Sequence, residues 1–434
     1  MRALRKPIRS FRSIAGAGFL LMLPIPLAAQ SSLTLDQCFE QVAVQYPLAG
    51  NTTLYEDQLA LDLEALDKDR LPKLDLNAQA TYQSEVTRVP LAIPNVSIEP
   101  PNKDQYRASL EVNQLLYDGG RISASKKLSA AATRVNQQEV AVTLYTLKTQ
   151  VTELYLSALL LQERKKLLES KQTQLESQLE EVRAGVRFGA LLPASADALE
   201  VELLKVQQQF SDLDFSRTGV LDRLSLLIGT ALPEDVALQR PEVFFTPAQE
   251  LSRPELALFE LQKDKIDRST EVLTKSNLPK INAFAQGGYG NPGLNMLDNS
   301  FNTFFITGLR VQWNLFDWNK TQKEEQSQQL NKEFIEAEKE TFDLQTRMVL
   351  ADLQSEIDKL RQALILDGEI IALQEKIVHS AASQLKNGVI TSSAYIVEFT
   401  NLYEARNHQT LRQLQLLQKQ IHYQLAEGSY SKSF

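Results

Sequence analysis

The sequence predicts a mixed α/β membrane protein. Long antiparallel coiled-coil helical hairpins are joined to four strands that supply part of an oligomeric transmembrane β-barrel, and the plan occurs twice as two internal structural repeats. Three observations predict it. The chain repeats itself at a fixed spacing, each half holds a helical pattern too long for a compact core, and each half holds two strands that alternate apolar and polar residues.

The repeat is read from landmarks. Arg70-Leu71-Pro72-Lys73-Leu74 returns as Asn277-Leu278-Pro279-Lys280-Ile281, Pro47 as Pro254 and Tyr82 as Tyr289, all at an offset of 207 (277 minus 70). Leu110-Glu111-Val112 and Leu116-Tyr117-Asp118 return as Leu309-Arg310-Val311 and Leu315-Phe316-Asp317, and Gly189 as Gly388, at an offset of 199 (388 minus 189). The difference of eight residues (207 minus 199) falls between Tyr82 and Leu110, where Pro90, Pro94, Pro100 and Pro101 mark Val89 to Lys103 as a loop. The expected organisation is a signal peptide at 1–29, a first repeat at 30–229, an inter-repeat linker at 230–252, a second repeat at 253–428 and a C-terminal tail at 429–434.

The signal peptide is read from Arg2, Arg5, Lys6, Arg9 and Arg12, followed by apolar Ile14 to Leu27 and the small residues Ala28 and Ala29. That apolar run is broken by Pro24 and Pro26 and is shorter than the ~20 residues a spanning helix needs. No other window approaches such a length, so a membrane-embedded chain would have to cross as a β-barrel. Removing the five basic residues moves the net charge from −8 to −13 (−8 minus 5), which argues against a nucleic-acid partner. The only cysteine, Cys38, lies in a short amphipathic pattern and reads as a packed thiol.

Next come the helices. Between Arg121 and Phe188 there is no proline, and Val140, Leu144, Leu147, Val151, Leu154, Ala158 and Leu161 recur in steps of four and three, resuming at Leu168, Leu175, Leu179, Val182 and Val186. Leu353, Ile357, Leu360, Leu364, Ile371, Val378, Ala381 and Leu385 continue the same seam in the second half. Such a rod is roughly 100 Å long. Gly189 and Gly388 end the rods, each followed by Ser or Thr to start a return helix, expected over about Ala196 to Leu227 and Ala394 to Ala426. Shorter helical patterns lie near Leu35 to Tyr46, Asn51 to Asp69 and Pro254 to Lys275.

The strands alternate. Leu74 to Gln83 and Tyr106 to Asn113 do so in the first half; Ile281, Ala283, Ala285, Tyr289 and then Phe305, Leu309, Val311, Trp313 and Leu315 mark the apolar face in the second. The expected lipid face is Leu76, Ala78, Ala80, Leu110, Val112, Leu309 and Val311, with Asn77, Gln79 and Gln312 facing water. A sheet packed on a globular core would alternate in the same way. Aromatic Tyr117, Trp313, Phe316 and Trp318 at the strand ends favour the membrane. Four strands do not close a barrel, so several subunits must contribute.

With these residues assembled, the chain resembles the TolC-like outer-membrane efflux proteins. The likeness rests on Leu33-Thr34-Leu35-Asp36-Gln37-Cys38, the Leu-Pro-Lys lead into each strand pair, the Leu-x-Val…Leu-Tyr/Phe-Asp exits, the glycine-centred turns and Leu226-Leu227-Ile228-Gly229. It implies a homotrimer in the outer membrane with an α-barrel tunnel in the periplasm. Such a trimer would be a passive exit duct of a tripartite efflux or type I secretion system, with a periplasmic adaptor (membrane fusion) protein, an inner-membrane pump and outer-membrane lipid as partners. The turn residues Gly189, Leu191, Leu192, Gly388, Val389 and Ile390 are then candidates for adaptor docking, with the four apolar ones expected to be exposed. The resemblance also implies acidic residues just past the second turn. This chain has Ala394 and Val397 there, leaving Asp197, Glu200 and Glu398 as tunnel-entrance candidates; each is also a carboxylate of the kind a helix's first turn favours.

No catalytic, metal or cofactor motif emerges. His379, His408 and His422 are far apart and outside any H-E-x-x-H pattern, and there is no phosphate loop or Gly-x-Ser-x-Gly elbow. The alternative reading, a periplasmic coiled-coil scaffold or adaptor-like protein, would share the hairpins but has no need of four strands with an apolar face.

Overall fold

The computed structural model describes residues 32–87, 100–243 and 250–430. The expected signal peptide, most of the proline-rich loop, part of the linker and the last four residues lie outside them. The elements run α1 (Leu35–Gln45), α2 (Asn51–Lys68), β1 (Lys73–Tyr82), β2 (Asp104–Tyr117), α3 (Arg121–Arg187), α4 (Pro193–Ile228), α5 (Pro254–Ser276), β3 (Lys280–Asn291), β4 (Asn302–Gln312), α6 (Lys320–Lys386) and α7 (Ser392–Glu427). β4 ends before Trp313 and Leu315, which the alternation had carried into the strand. The return helices begin two or three residues earlier than the pattern suggested, because Pro193 and Ser392 already occupy helical positions.

Matching elements have matching lengths. α3 and α6 are each 67 residues, and α4 and α7 are each 36. At about 1.5 Å per residue the long helices run about 100 Å from the sheet to the turns. The way the chain passes from strand to long helix is also the same in both halves. Asp118 accepts the backbone N–H of Gly120 (2.9 Å) and of Ile122 (2.6 Å); Asp317 accepts those of Asn319 and Thr321, both at 3.0 Å. The intervening pair is left-handed in each case, with φ of 71° and 84° at Gly119 and Gly120 and 56° and 62° at Trp318 and Asn319. Left-handed backbone suits Gly and Asn, whereas a Trp adopts it only when its surroundings hold it.

The predicted seam is the packed face of the long helices. Val151, Ala158, Leu168, Leu175 and Val182 of α3 and Ile357, Leu360, Val378 and Leu385 of α6 are buried. Towards the turns these residues meet Leu199 and Val206 of α4 and Tyr395, Phe399 and Leu402 of α7, so the two hairpins share one core. Midway along α3 a second core forms, where α1 lays Leu35, Cys38, Phe39 and Val42 against Tyr155, Leu156 and Leu159 and the ends of α4 and α7. An isolated helix of 11 residues would not persist in water. α1 is held by that burial, at about 1.5–3 kcal/mol for each large apolar side chain, and by a capping box between Thr34 and Gln37. The buried Tyr155 hydroxyl lies 2.7 Å from both Leu33 O and Gln239 O, tying the residues before α1 to the segment after α4.

Candidate functional site

The sheet is antiparallel throughout, in the order β1-β2-β3-β4. Its register decides which residues share a face. Leu76 lies opposite Leu110, Leu74 opposite Val112, Ala78 opposite Ala108 and Ala80 opposite Tyr106. Val112 then lies opposite Ala285, Ala283 opposite Leu309 and Ile281 opposite Val311. Leu76, Ala78, Ala80, Leu110, Val112, Leu309 and Val311 therefore stand on one face. Asp75, Asn77, Gln79, Arg107, Ser109, Glu111, Gln286 and Arg310 stand on the other, where Gln286 donates to Ser109 Oγ at 2.9 Å.

The apolar face is bare. Leu76 is 76% exposed, Leu309 69% and Val311 65%, and no described helix packs on either side of the sheet. A sheet with one apolar face normally buries it, so this surface is built to meet something other than water. Aromatic residues stand at both ends of the strands. Tyr117, Trp313, Phe316 and Trp318 are exposed at the helix end, with the Phe316 and Trp318 rings edge to face at 4.8 Å. At the far end Phe301 stacks on Tyr289 (5.4 Å) and Tyr106 (6.3 Å). From Tyr106 to Tyr117 the strand runs roughly 36 Å at ~3.3 Å per residue.

The other end of the molecule is the pair of turns. Ala190 N donates to Gly185 O at 2.8 Å and Val389 N to Gln384 O at 2.9 Å, each closing its helix through a left-handed glycine, Gly189 (φ 76°) or Gly388 (φ 67°). Thr391 caps α7 by accepting the Ala394 N–H at 3.3 Å, but α4 starts on Pro193 without a side-chain cap, so Ser195 does not play the expected part. Leu192 (74%) and Val389 (70%) are exposed, whereas Leu191 and Ile390 fold back onto the hairpin core. That corrects the expectation of four exposed apolar residues. Leu191 packs closely over Gly185, where a Cβ would stand 2.8 Å from its side-chain tip, and Leu191 and Ile390 both gain apolar contacts by turning inward.

The three acidic candidates are not equivalent. Glu200 accepts from Arg183 of α3 at 2.8 Å, which spends its charge within the hairpin; Asp197 is exposed; Glu398 is half-buried beside Asn401, at 3.5 Å. A pair that sequence reading missed lies deeper. Lys171 Nζ is 2.9 Å from Glu202 Oε1 and 4.7 Å above the Tyr403 ring, among buried apolar side chains. Cys38 is fully buried, and burial pushes its thiol up to about 12. Of the histidines, His422 is partly buried, and desolvation lowers its pKa.

Residues 53–230 match the family model described as Outer membrane efflux protein. The match covers 178 of the 434 residues (230 minus 52), and over them the chain is similar to that family. The fold is similar to that of several solved outer-membrane proteins and channels. The outer membrane protein VceC from Vibrio cholerae is 15% identical at a TM-score of 0.61, over 91% of this chain and 96% of that one. CusC, whose structures concern transmembrane channel formation, is 12% identical at 0.64, over 91% and 92%. The Neisseria gonorrhoeae MtrE outer membrane channel in its open state is 16% identical at 0.61, over 91% and 89%. No curated protein matches the chain.

Proposed function

We propose that this protein is the outer-membrane exit duct of a tripartite efflux or type I secretion system, a passive conduit from periplasm to outside. The observation that carries the reading is the bare apolar face of a sheet that is polar on its other side and has aromatic residues at both ends. In water that face would be an aggregation hazard; in lipid it is a barrel wall. Strands β1 and β4 leave two open edges, and a homotrimer closes them against neighbouring subunits. Repeats at 30–229 and 253–428, joined through 230–252, then contribute two strands and one helical hairpin each.

The helices extend as a tunnel into the periplasm, and their turns meet a periplasmic adaptor bridged to an inner-membrane pump. Leu192 and Val389 are the docking contacts, while Leu191 and Ile390 hold the shape of the turns. Asp197 and Glu398 carry the charge of the tunnel entrance, since Glu200 is already paired with Arg183. Energy comes from the pump, because the duct needs none of its own. A periplasmic scaffold would account for the hairpins but leaves the exposed Leu76, Leu309 and Val311 without a purpose. Fractionation of cells expressing the full chain tests the choice. The duct requires recovery from the outer membrane as a heat-resistant trimer; recovery in the soluble periplasm favours the scaffold.

A further inference from the structure

The polar face of the sheet carries two layered clusters of the same composition. On β3, Gly288 lies beneath the Phe304 ring of β4, so close that a Cβ would meet the ring at 2.5 Å, and the Arg107 guanidinium of β2 stands over that ring at 5.3 Å. On β4, Gly308 lies beneath the Phe284 ring of β3, where a Cβ would stand at 3.2 Å, and the Arg310 guanidinium stands over it at 4.9 Å. In both, a glycine opens a shelf, a phenylalanine lies across it, and an arginine guanidinium stands over the ring. The phenylalanines break the alternation, for Phe284 and Phe304 occupy the parity of Asn282, Gln286 and Asn302.

Packing over glycine accounts for the rings, since an aromatic side chain across a strand glycine restores contacts the glycine lacks. It does not account for the charges. This face carries Lys73, Arg107, Lys280 and Arg310 against Asp75 and Glu111, a surplus of two positive charges (four minus two), on a chain whose formal net charge is −8. Among the described residues, Arg107, Lys280 and Arg310 have no ion-pair partner, whereas Lys73 is paired with Asp69 at 3.0 Å. A guanidinium stacked on a ring is oriented by it, and its N–H edge stays available for a planar carboxylate.

We propose that this face is a binding surface for organic polycarboxylates, with Arg107 and Arg310 gripping the carboxylates and Phe304 and Phe284 holding the guanidinium groups in place. The proposal rests on the barrel reading, in which this face lines the lumen and each subunit contributes the two clusters. The lumen would then favour organic anions at the outer-membrane end of the duct.

The test uses the full chain in lipid nanodiscs with benzene-1,3,5-tricarboxylate as the probe, followed by calorimetry at low salt. The wild type should bind the probe, and binding should weaken as salt rises. R107Q/R310Q should bind about tenfold more weakly or worse, the loss expected when a charge-assisted fork is removed, and R107K/R310K should fall between, keeping charge but not the fork. Insertion as an oligomer without binding, or binding equal in wild type and R107Q/R310Q, overturns the site while leaving the barrel standing. Failure of the wild type to insert overturns the barrel reading and the site with it.

Discussion

Lys171 and Glu202 form an ion pair inside the helical hairpin, 2.9 Å apart, with 3% and 11% of their side chains exposed. An ion pair out of water contributes little net stability, yet breaking one side of it is costly, because the remaining charge keeps its desolvation penalty without a partner. Glu202→Ala should therefore destabilise the fold by about 3–5 kcal/mol. Replacing either side of the exposed Arg183–Glu200 pair should change stability far less, because water and salt screen it. Replacing both partners, Lys171→Met with Glu202→Leu, should recover most of the loss. Denaturant unfolding followed by helical circular dichroism checks the order of the four variants.

At the turns, exposed and inward-facing residues should separate in their effects. Leu192→Asp combined with Val389→Asp should abolish export while leaving a heat-resistant trimer, because both side chains stand in solvent. Leu191→Asp should instead lower stability by about 2 kcal/mol or more, since it puts a carboxylate against the hairpin core. Export of a dye substrate and gel mobility of unboiled samples give the two readouts. Normal export by the Leu192/Val389 variant would remove the docking role.

Cys38 provides a probe of the core beneath α1. Its thiol is fully buried and pushed up to about 12 by burial, so almost no thiolate is present at pH 8. Maleimide should leave the folded protein unmodified over hours and label it completely in denaturant. Rapid labelling without denaturant would mean that α1 detaches from α3.

Asp317 ties acid stability to the start of α6. The Thr321 hydroxyl and backbone N–H, with Asn277 behind them, lower its pKa to about 2. Because the folded value lies below that of the unfolded chain, near ~3.9, the unfolded state takes up the proton first. The stabilisation is complete above about pH 4 and is lost as pH falls through about 2. The gap in thermal midpoint between wild type and Asp317→Asn should accordingly be largest at neutral pH and close near pH 2; a gap that does not vary with pH would contradict the assignment.

Much of this architecture could be read from particular residues. Proline-free spacing from Arg121 onward gave the long helices, and the Leu-Pro-Lys landmarks located the strands to within a few residues. Lys171 and Gln178 show why the buried polar residues were passed over. They continue the seam between Leu168, Leu175 and Val182 in steps of three and four, and both are buried, but their side chains are polar and a hydrophobic pattern skips them. Leu191 packs over Gly185 as it turns inward, a contact between neighbouring backbone segments that residue type alone does not carry. Trp313 continues the alternation of β4 yet lies past its end, since pairing with β3 stops at Lys280–Gln312.

The central claim is that the apolar face of the sheet meets lipid, and neighbours in β4 test it most directly. Val311 stands on that face and Gln312 on the opposite one. Val311→Arg places a charge against hydrocarbon, at about 2–4 kcal/mol near the bilayer midplane and less near its edge, whereas Gln312→Arg adds one to a watery lumen. The measurement is the yield of heat-resistant trimer in the outer membrane for the two variants at equal expression. The account predicts a marked loss for Val311→Arg and near-normal yield for Gln312→Arg; equal yields would contradict it.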